Sequence, residues 1–438
     1  MNPGLSPHLA VAAGAEAPSP GARRHKWELL IWLWFAFFLN QGDRQIYNVV
    51  MPLIGADLKL DAVQLGFVAT LFTAVYGVLV PVAGYAGDVF SRKWMVVASL
   101  AVFSVGTLLT GLASGFVLLV VFRSIATGAG EAFYYPAANA LIGEHHQESR
   151  ARAMAIHQTA NYTGVVVSGF LAAWIGERWG WRASFWVFGI AGVVWAALVA
   201  WRLKDAPASA AGSATGPAVA AARIPLREVC AVLWRRPTVL LLALALGGMV
   251  FVHIGYLTWA PSYLKERFGL SLSNAGFTSM FYHHLLAYGG VLLGGWWSDR
   301  MAAKRRQVRM ETCGLGLLLG APFVFLLGSS GSLTLTCVAL AGFGFFRGIY
   351  DSNLMAAPYD VVPPKYRSSA TGLMLAFAFI IGSAAPVILG WMKLRMGLGF
   401  GLSSLGFVYL LSAALVFIAL KFFFHRDYHA DQSALSHE

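Results

Sequence analysis

Long apolar stretches separated by short polar breaks recur along the whole chain. Twelve of them are about 20 residues long or longer, the length that a helix needs to cross a hydrocarbon core of roughly 30 Å. The pattern predicts membrane-spanning helices over 27–50, 63–86, 93–113, 116–143, 152–176, 182–202, 238–264, 273–298, 308–329, 332–359, 368–393 and 400–423. A segment rich in Ala, Pro and Gly, 205–222, follows the sixth stretch and divides the chain into two halves.

The composition agrees with this pattern. Hydrophobic residues make up 58% of the 438 residues and charged residues 12%, whereas about one quarter of a soluble domain is charged. The mean hydropathy is +0.64. The three cysteines, Cys230, Cys313 and Cys337, have no metal-ligand spacing, so neither a metal nor another cofactor is expected. The composition therefore predicts an all-α, multi-pass membrane protein.

The basic residues predict how the chain is oriented. If the twelve helices span the membrane, 22 of the 32 Lys and Arg residues lie on the side of the termini, 7 lie on the other side and 3 lie within helices. Because cytoplasmic loops carry the excess of Lys and Arg, both termini are expected to be cytoplasmic, in the plasma (inner) membrane. This topology accounts for the net charge of +12 without a nucleic-acid partner.

These boundaries predict five regions. They are a disordered cytoplasmic N-terminal tail over 1–26, a six-helix bundle over 27–204, a cytoplasmic linker over 205–236, a second six-helix bundle over 237–424 and a cytoplasmic C-terminal tail over 425–438. The first 22 residues contain no apolar segment typical of a cleaved signal peptide.

Four charged residues lie away from the ends of predicted helices in the first half. Asp43 and Arg44 are adjacent in the first helix, and Arg123 and Glu131 lie in the fourth. A charge at the bilayer centre costs roughly 2.5 to 3.5 kcal/mol, so such residues face protein or water and usually have a function. A carboxyl group in this setting can carry a proton, and a guanidinium can hold a carboxylate through two parallel hydrogen bonds. The same residues can also form structural ion pairs that join the two helices, and both interpretations stay open.

Other polar and aromatic residues complete the set of candidates. Arg347 and Asp351 are four residues apart in the tenth helix, a spacing that favours a structural bridge between them, and we expect this pair to act in conformational change and gating. The candidates for lining a substrate cavity are Tyr76, Tyr135, His157, Asn161 and Tyr256.

A short motif is repeated in the two halves. Gly84-x-x-x-Asp88 ends the second helix and Gly295-x-x-x-Asp299 ends the eighth, each followed by a basic residue, Arg92 or Arg300. The matching positions indicate two halves related by an axis along the membrane normal. The chain here resembles the major facilitator superfamily, although Ser91 replaces the second glycine of the family's loop motif. The resemblance implies two six-helix halves that open alternately to each side, with these motif residues acting in gating.

Within the superfamily, the chain resembles the anion:cation symporter family, which includes transporters of hexuronate, galactonate and sialic acid. The resemblance rests on Asp43-Arg44, on 128–132 (GAGEA), on 257–264 (LTWAPSYL) and on 367–372 (RSSATG). It implies that Asp43 and Glu131 take part in proton coupling and that Arg44 and Arg123 bind the anion. In that family the arginine usually precedes the glutamate by seven residues, but Arg123 precedes Glu131 by eight. On a regular helix it would be rotated by about 100° from the expected position.

The expected function is therefore proton-coupled symport of a small organic anion, such as a sugar acid or another carboxylate, by a monomer. The alternative is a lysolipid or amphiphile transporter of the spinster type, which the chain also resembles in its DRQI and GAGEA segments. A sensor that has lost transport is a third possibility, based on analogy of fold. An enzyme is not expected, because the sequence shows no spacing typical of a catalytic triad or a zinc site.

Overall fold

The computed structural model describes residues 20–146, 149–203, 226–302, 304–354 and 356–428, and these are almost entirely helical. The helices of the first half are α1 (Pro20–Leu58), α2 (Ala62–Val89), α3 (Arg92–Thr110), α4 (Phe116–His145), α5 (Arg150–Trp179) and α6 (Trp181–Arg202). Those of the second half are α7 (Pro237–Phe268), α8 (Leu272–Ala302), α9 (Val308–Ser329), α10 (Leu333–Asn353), α11 (Arg367–Ser383 and Ala385–Met396) and α12 (Leu398–Ile418). Short helices, Leu226–Trp234 and Ala356–Tyr359, precede α7 and follow α10.

Nine of the described helices are long and apolar enough to cross a membrane. The other three long helices are α1, α5 and α8, which carry many of the polar residues discussed below. Large apolar side chains such as Val117, Trp201 and Phe407 are exposed on the outer surface, whereas Asp43 and Glu131 are buried. An apolar exterior around a polar interior is the arrangement expected in lipid. The expected number of twelve spans and the cytoplasmic termini stay predictions.

Two helical segments extend into the regions expected to form the N-terminal tail and the linker. The first helix begins at Pro20 instead of near residue 27, since proline is well tolerated in the first turn of a helix. The short helix Leu226–Trp234 lies inside the expected linker, where it buries Val229 and Leu233, four residues apart on one face. The rest of the expected tails and linker, over 1–19, 204–225 and 429–438, lies outside the described residues.

The two halves contact each other at the end of the bundle opposite the termini. The Thr70 hydroxyl of α2 accepts a hydrogen bond of 3.2 Å from the Val387 amide of α11. At the end of α5, the Glu177 carboxylate accepts one of 2.5 Å from the Leu272 amide, and also accepts hydrogen bonds from the Ser273 amide and hydroxyl. A carboxylate of the first half therefore caps the N-terminus of α8 in the second.

Helices α2 and α11 diverge toward the side of the termini. A Cβ atom added at Gly66 would clash with the Pro386 backbone, and one added at Gly77 would lie 2.8 Å from Phe379, so α2 and α11 touch along this length. Nearer the termini, a Cβ atom at Gly84 or Gly372 would meet no described atom within 4 Å. The space between the halves therefore widens toward the side of the termini.

The repeated motif lies at this wider end. Arg92 forms an ion pair with Glu144, which joins the start of α3 to the end of α4. In the second half, Asp299 and Arg300 are exposed, and a Cβ atom at Gly295 would have Ser352 at 4.0 Å. The side chain of Asp88 lies outside the described residues. The gating role expected for these residues stays a prediction.

Candidate functional site

Arg44 and Glu131 form an ion pair between α1 and α4. The Arg44 Nε atom donates a hydrogen bond of 2.5 Å to Glu131 Oε2. The Glu131 side chain is fully buried, whereas 23% of the Arg44 side chain is exposed. The other carboxylate oxygen of Glu131, Oε1, is buried and has no hydrogen-bond partner among the described residues. The pair therefore combines a guanidinium that a ligand can reach with a carboxylate of which only one oxygen accepts a hydrogen bond.

Asp43 and Arg123 form a second pair beside the first. The Arg123 Nη1 atom donates over 2.7 Å to Asp43 Oδ2, and Nη2 donates to the backbone carbonyls of Asp43 and Arg44. The Thr107 hydroxyl of α3 donates to the other carboxylate oxygen of Asp43. Both side chains of the pair are only 3% exposed. This network joins three helices and has little contact with solvent.

A π-helical turn over Val120–Thr127 places Arg123 in this network. A π turn contains one residue more than an α turn, and the additional residue offsets the rotation of about 100° that the eight-residue spacing would otherwise produce. The rotation expected for a regular helix therefore does not apply to Arg123, because the helix is locally distorted. Ser124, which occupies the position expected for the arginine, donates instead to the Val68 carbonyl of α2.

Glycines on either side of Glu131 let α4 pack closely against α2 and α3. A Cβ atom at Gly130 would lie 2.6 Å from the Phe103 amide nitrogen of α3, and one at Gly128 would lie 3.1 Å from the Phe72 carbonyl of α2. The Ser99 hydroxyl also donates to the Gly130 carbonyl over 2.6 Å. Because α4 lies directly against α2 and α3, the Glu131 side chain is fully enclosed.

The structure separates the predicted cavity residues into two groups. Tyr76 lies beside Arg44, whose guanidinium carbon is 4.2 Å from the centre of the tyrosine ring. Tyr135 is 41% exposed, and Asn161 is half-buried. His157 is only 1% exposed and stacks on Phe37 at 4.6 Å, which is the geometry of a packing residue.

Tyr256 belongs to the buried group in the second half. Its ring is fully buried 4.8 Å from that of His283, and its hydroxyl donates to the Ser279 carbonyl. This places Tyr256 behind His283, where it supports the imidazole ring.

The second half contains its own cluster of charged and polar side chains, formed by α7, α8 and α10. Arg347 Nη2 lies 3.4 Å from Asp351 Oδ2, so the predicted bridge within α10 is present. Arg347 Nη1 also lies 2.8 Å from His253 Nδ1 and 3.1 Å from His283 Nε2. Glycines make this possible, since a Cβ atom at Gly344 or Gly348 would clash with the backbone of α8.

Sequence reasoning missed two contributors to these clusters, Thr107 and His283, and the contact that Glu177 makes between the halves. Thr107 lies in an apolar helix and carries no pattern that marks it. His283 and His284 are adjacent, so the sequence does not indicate which of them faces Arg347, and Glu177 resembles an ordinary charged residue at a helix end. Among the described residues, no group of three or more His, Cys, Asp or Glu is placed to hold a metal ion.

Comparison with known proteins places this arrangement in a family. The family model of the Major Facilitator Superfamily matches residues 33–386. The chain is 26% identical to a hexuronate transporter of Bacillus subtilis, over 85% of this chain and 89% of that protein. It is 28% identical to a probable sulfoacetate transporter of Cupriavidus necator, over 82% of this chain and 86% of that protein.

A solved structure shares the fold. It is that of a bacterial homologue of the human lysosomal transporter Spinster in an inward-facing, occupied conformation, with a TM-score of 0.76 and 20% identity over 94% of this chain and 99% of that one. Both of these relatives are transporters and not enzymes, which confirms the resemblance to organic-anion transporters and the expectation that this protein is not an enzyme. The chain is a multi-pass membrane protein that belongs to the major facilitator superfamily.

Proposed function

We propose that this protein is a secondary active transporter that carries a small organic anion together with a proton by alternating access. The observation that supports this most directly is the pair between the partly exposed Arg44 and the buried Glu131. The named substrates of the two relatives described above, hexuronate and sulfoacetate, are small organic acids, which supports an anionic substrate.

The charges of the first half link the anion to a proton. Arg44 and Arg123 are balanced by Glu131 and Asp43, so the cluster has no net charge. A substrate carboxylate that binds Arg44 competes with Glu131 for the same guanidinium. If Glu131 takes up a proton as the anion binds, the buried charge stays balanced, and this avoids an uncompensated charge in a low-dielectric site. Glu131 is thus the proton carrier and Arg44 the anion anchor.

Asp43 and Arg123 have a different role in this proposal. Both oxygens of Asp43 accept hydrogen bonds, and Arg123 also binds two carbonyls of α1, so the pair fixes α1 against α3 and α4. We therefore assign the pair to positioning Arg44, and we place Tyr76, Tyr135 and Asn161 around the substrate. His157 and Tyr256 pack behind this site.

Alternating access follows from the closed and open ends of the bundle. With cytoplasmic termini, the space between the halves opens toward the cytoplasm, and the contacts of Glu177 with the start of α8 lie on the outer side. Breaking these contacts and closing the wide end exposes Arg44 to the opposite side. We also propose that the protein is a monomer in the inner membrane. Its two six-helix bundles have the boundaries predicted from the sequence.

Transport by the purified protein in proteoliposomes tests this function. We expect an inward proton gradient to accelerate uptake of radiolabelled galacturonate or sulfoacetate, and we expect Arg44→Gln to abolish that uptake. The spinster-type alternative predicts instead that a fluorescent lysophosphatidylcholine moves between leaflets and that neither acid is transported. A rate of acid uptake that is the same with and without the proton gradient would contradict coupling to protons.

A further inference from the structure

We propose that Arg347 is a second anion-binding group, and that the preferred substrate therefore carries two anionic groups. Arg44 holds one group in the first half, and Arg347 holds the other in the second. This inference rests on the proposed function and narrows its substrate class from organic acids in general to dianions. It is carried by the geometry around Arg347.

Two imidazole nitrogens lie within hydrogen-bonding distance of the Arg347 guanidinium. Arginine only donates, so the nitrogen atoms that face Arg347 Nη1, His253 Nδ1 and His283 Nε2, carry lone pairs. Both imidazoles are thus neutral in this arrangement, and they orient the guanidinium without balancing its charge. The remaining proton of His283 is on Nδ1, a buried atom that has no hydrogen-bond partner among the described residues.

The imidazoles contact only Nη1, so they leave the edge formed by Nε and Nη2 free. Nε and Nη2 share one edge, which is a geometry that binds a carboxylate through two parallel hydrogen bonds. Arg347 Nε is buried and has no hydrogen-bond partner in the described part of the chain. A buried donor without a partner is unusual in a native protein and calls for an explanation.

The ion pair of Arg347 is longer than those of the first half. Asp351 approaches Arg347 Nη2 to only 3.4 Å, whereas the pairs of Arg44 and Arg123 have distances of 2.5 and 2.7 Å. The Asp351 side chain is also 23% exposed, so it can turn away from Arg347. A substrate carboxylate takes its place on the edge formed by Nε and Nη2.

Aromatic side chains of α5 and α8 meet between the two halves. The ring of Tyr162, on α5 of the first half, packs edge-on against His284 at 5.9 Å and against Tyr288 at 6.3 Å. The His284 ring in turn packs 5.0 Å from that of His283, whose Nε2 atom lies 3.1 Å from Arg347 Nη1. Tyr135 follows Glu131 by four residues in α4, and Glu131 binds Arg44. In this proposal the two arginines line one space between the halves.

Matched pairs of acids test the second anionic group. Each pair shares a carbon skeleton and differs by one anionic group: galactarate and galactonate, sulfoacetate and isethionate, and trans,trans-muconate and sorbate. Binding is measured on the purified full-length protein by ligand-dependent thermal shifts, because a ligand that binds the native state raises the melting temperature. We expect the dianion to bind roughly 10- to 100-fold more tightly than its monoanionic partner in at least one pair.

Substitution of Arg347 identifies the group responsible. In Arg347→Gln, the dianion is expected to lose roughly 10- to 100-fold in affinity and the monoanion much less, so the preference for the dianion disappears. If this variant does not fold because Asp351 is left unpaired, the double variant Arg347→Gln/Asp351→Asn removes both charges and keeps polar side chains. Arg182→Gln, which removes a surface pair with Asp57 in the first half, serves as the control and should leave every affinity unchanged.

The possible outcomes separate this inference from the proposed function. Equal affinities within every pair would overturn the dianion inference, as would an Arg347 variant that weakens both members of a pair to the same extent. Either result leaves the proposed transport of organic acids intact. If none of the six acids shifts the melting temperature, the dianion inference fails, and the proposed function is then judged by the transport assay alone.

Discussion

The Nε atom of Arg44 lies 2.5 Å from Oε2 of Glu131, and this contact joins the first and fourth helices inside the bundle. The pair differs from its neighbour, Arg123 and Asp43, because 23% of the Arg44 side chain is exposed, compared with 3% for Arg123. Two pairs of the same chemistry therefore have different access to a ligand, and this difference underlies the roles assigned to them.

The first prediction concerns Glu131→Gln. Glutamine keeps the shape of the side chain and can still accept a hydrogen bond from Arg44, but it cannot take up and release a proton. We expect stimulation of uptake by an inward proton gradient to disappear, while exchange of labelled for unlabelled substrate continues. Both are measured in proteoliposomes. Glu28→Gln, which affects a surface pair with Arg202, is the control, and a Glu131→Gln protein with normal gradient dependence would refute the proton-carrier role.

The second prediction concerns the π turn. Deletion of Ile125, which lies between Arg123 and Glu131, leaves them seven residues apart, so a regular helix places both on one face. We expect this protein to transport. Deletion of Val121 also removes one residue from the turn but keeps the eight-residue spacing, so Arg123 rotates away from Asp43.

The second deletion should be much the more harmful. Removing one partner of a buried ion pair costs about 3 to 5 kcal/mol, so the Val121 deletion is expected to lower the melting temperature and to abolish transport. Both deleted residues have exposed side chains, so neither deletion removes a buried packing group. Equal behaviour of the two proteins in melting and uptake assays would show that the π turn does not serve to position Arg123.

The sequence predicts the helices well, because hydropathy over about 20 residues depends mainly on local composition. The ninth helix, for example, was expected over 308–329 and is found at Val308–Ser329. The pairing of α1 with α4 could also be predicted as one of two interpretations, since buried charges need partners of opposite sign. The partners themselves, Arg44 with Glu131 and Asp43 with Arg123, depend on how the helices face each other.

What could not be predicted depends on contacts between distant segments. The π turn contains neither Pro nor Gly, and its only trace in the sequence is the spacing of Arg123 and Glu131. The contact of His283 with Arg347 requires the close approach of α8 and α10, which becomes evident only when Gly344 and Gly348 are seen to face α8. The partner of Glu177 is in the other half, and local sequence does not indicate how the halves pack.

The third prediction concerns His146, in the loop that follows α4. Its Nε2 atom lies 2.8 Å from the Lys26 carbonyl and its Nδ1 atom lies 3.0 Å from the Ser149 hydroxyl, so it ties the start of α1 to this loop. Burial, with smaller contributions from Lys26 and His145, lowers the pKa of His146 below its usual value of 6.5, although the hydrogen bond to the Lys26 carbonyl opposes this.

A lowered pKa in the folded state means that the unfolded chain binds the proton more readily. The stability that neutral His146 contributes is therefore fully present above about pH 6.5 and is lost as the pH falls below that value. We expect the melting temperature of the purified protein to fall between pH 7.5 and pH 5, and to fall less in His146→Gln. The same slope in both proteins would assign the pH dependence to other groups.

The last prediction concerns the contact between Glu177 and the start of α8. Glu177 accepts hydrogen bonds from the backbone amides of Leu272 and Ser273, so its negative charge lies at the positive end of the α8 dipole. Glu177→Gln keeps the size of the side chain but removes the charge, which is worth about 1 kcal/mol in such a position, or roughly a fivefold change in the ratio of two conformations. We expect the two halves to separate more often at this end.

Spin labels at two exposed positions, Lys59 in the first half and Arg395 in the second, measure this separation as a distance distribution. The longer distance should gain population in Glu177→Gln. Asp57→Asn, at the same end of the bundle, removes a contact with Arg182 within the first half and should leave the distribution unchanged. Because a local loss of stability would act similarly in both variants, only a change confined to Glu177→Gln identifies a contact that holds the two halves together, and an unchanged distribution in that variant would contradict this role.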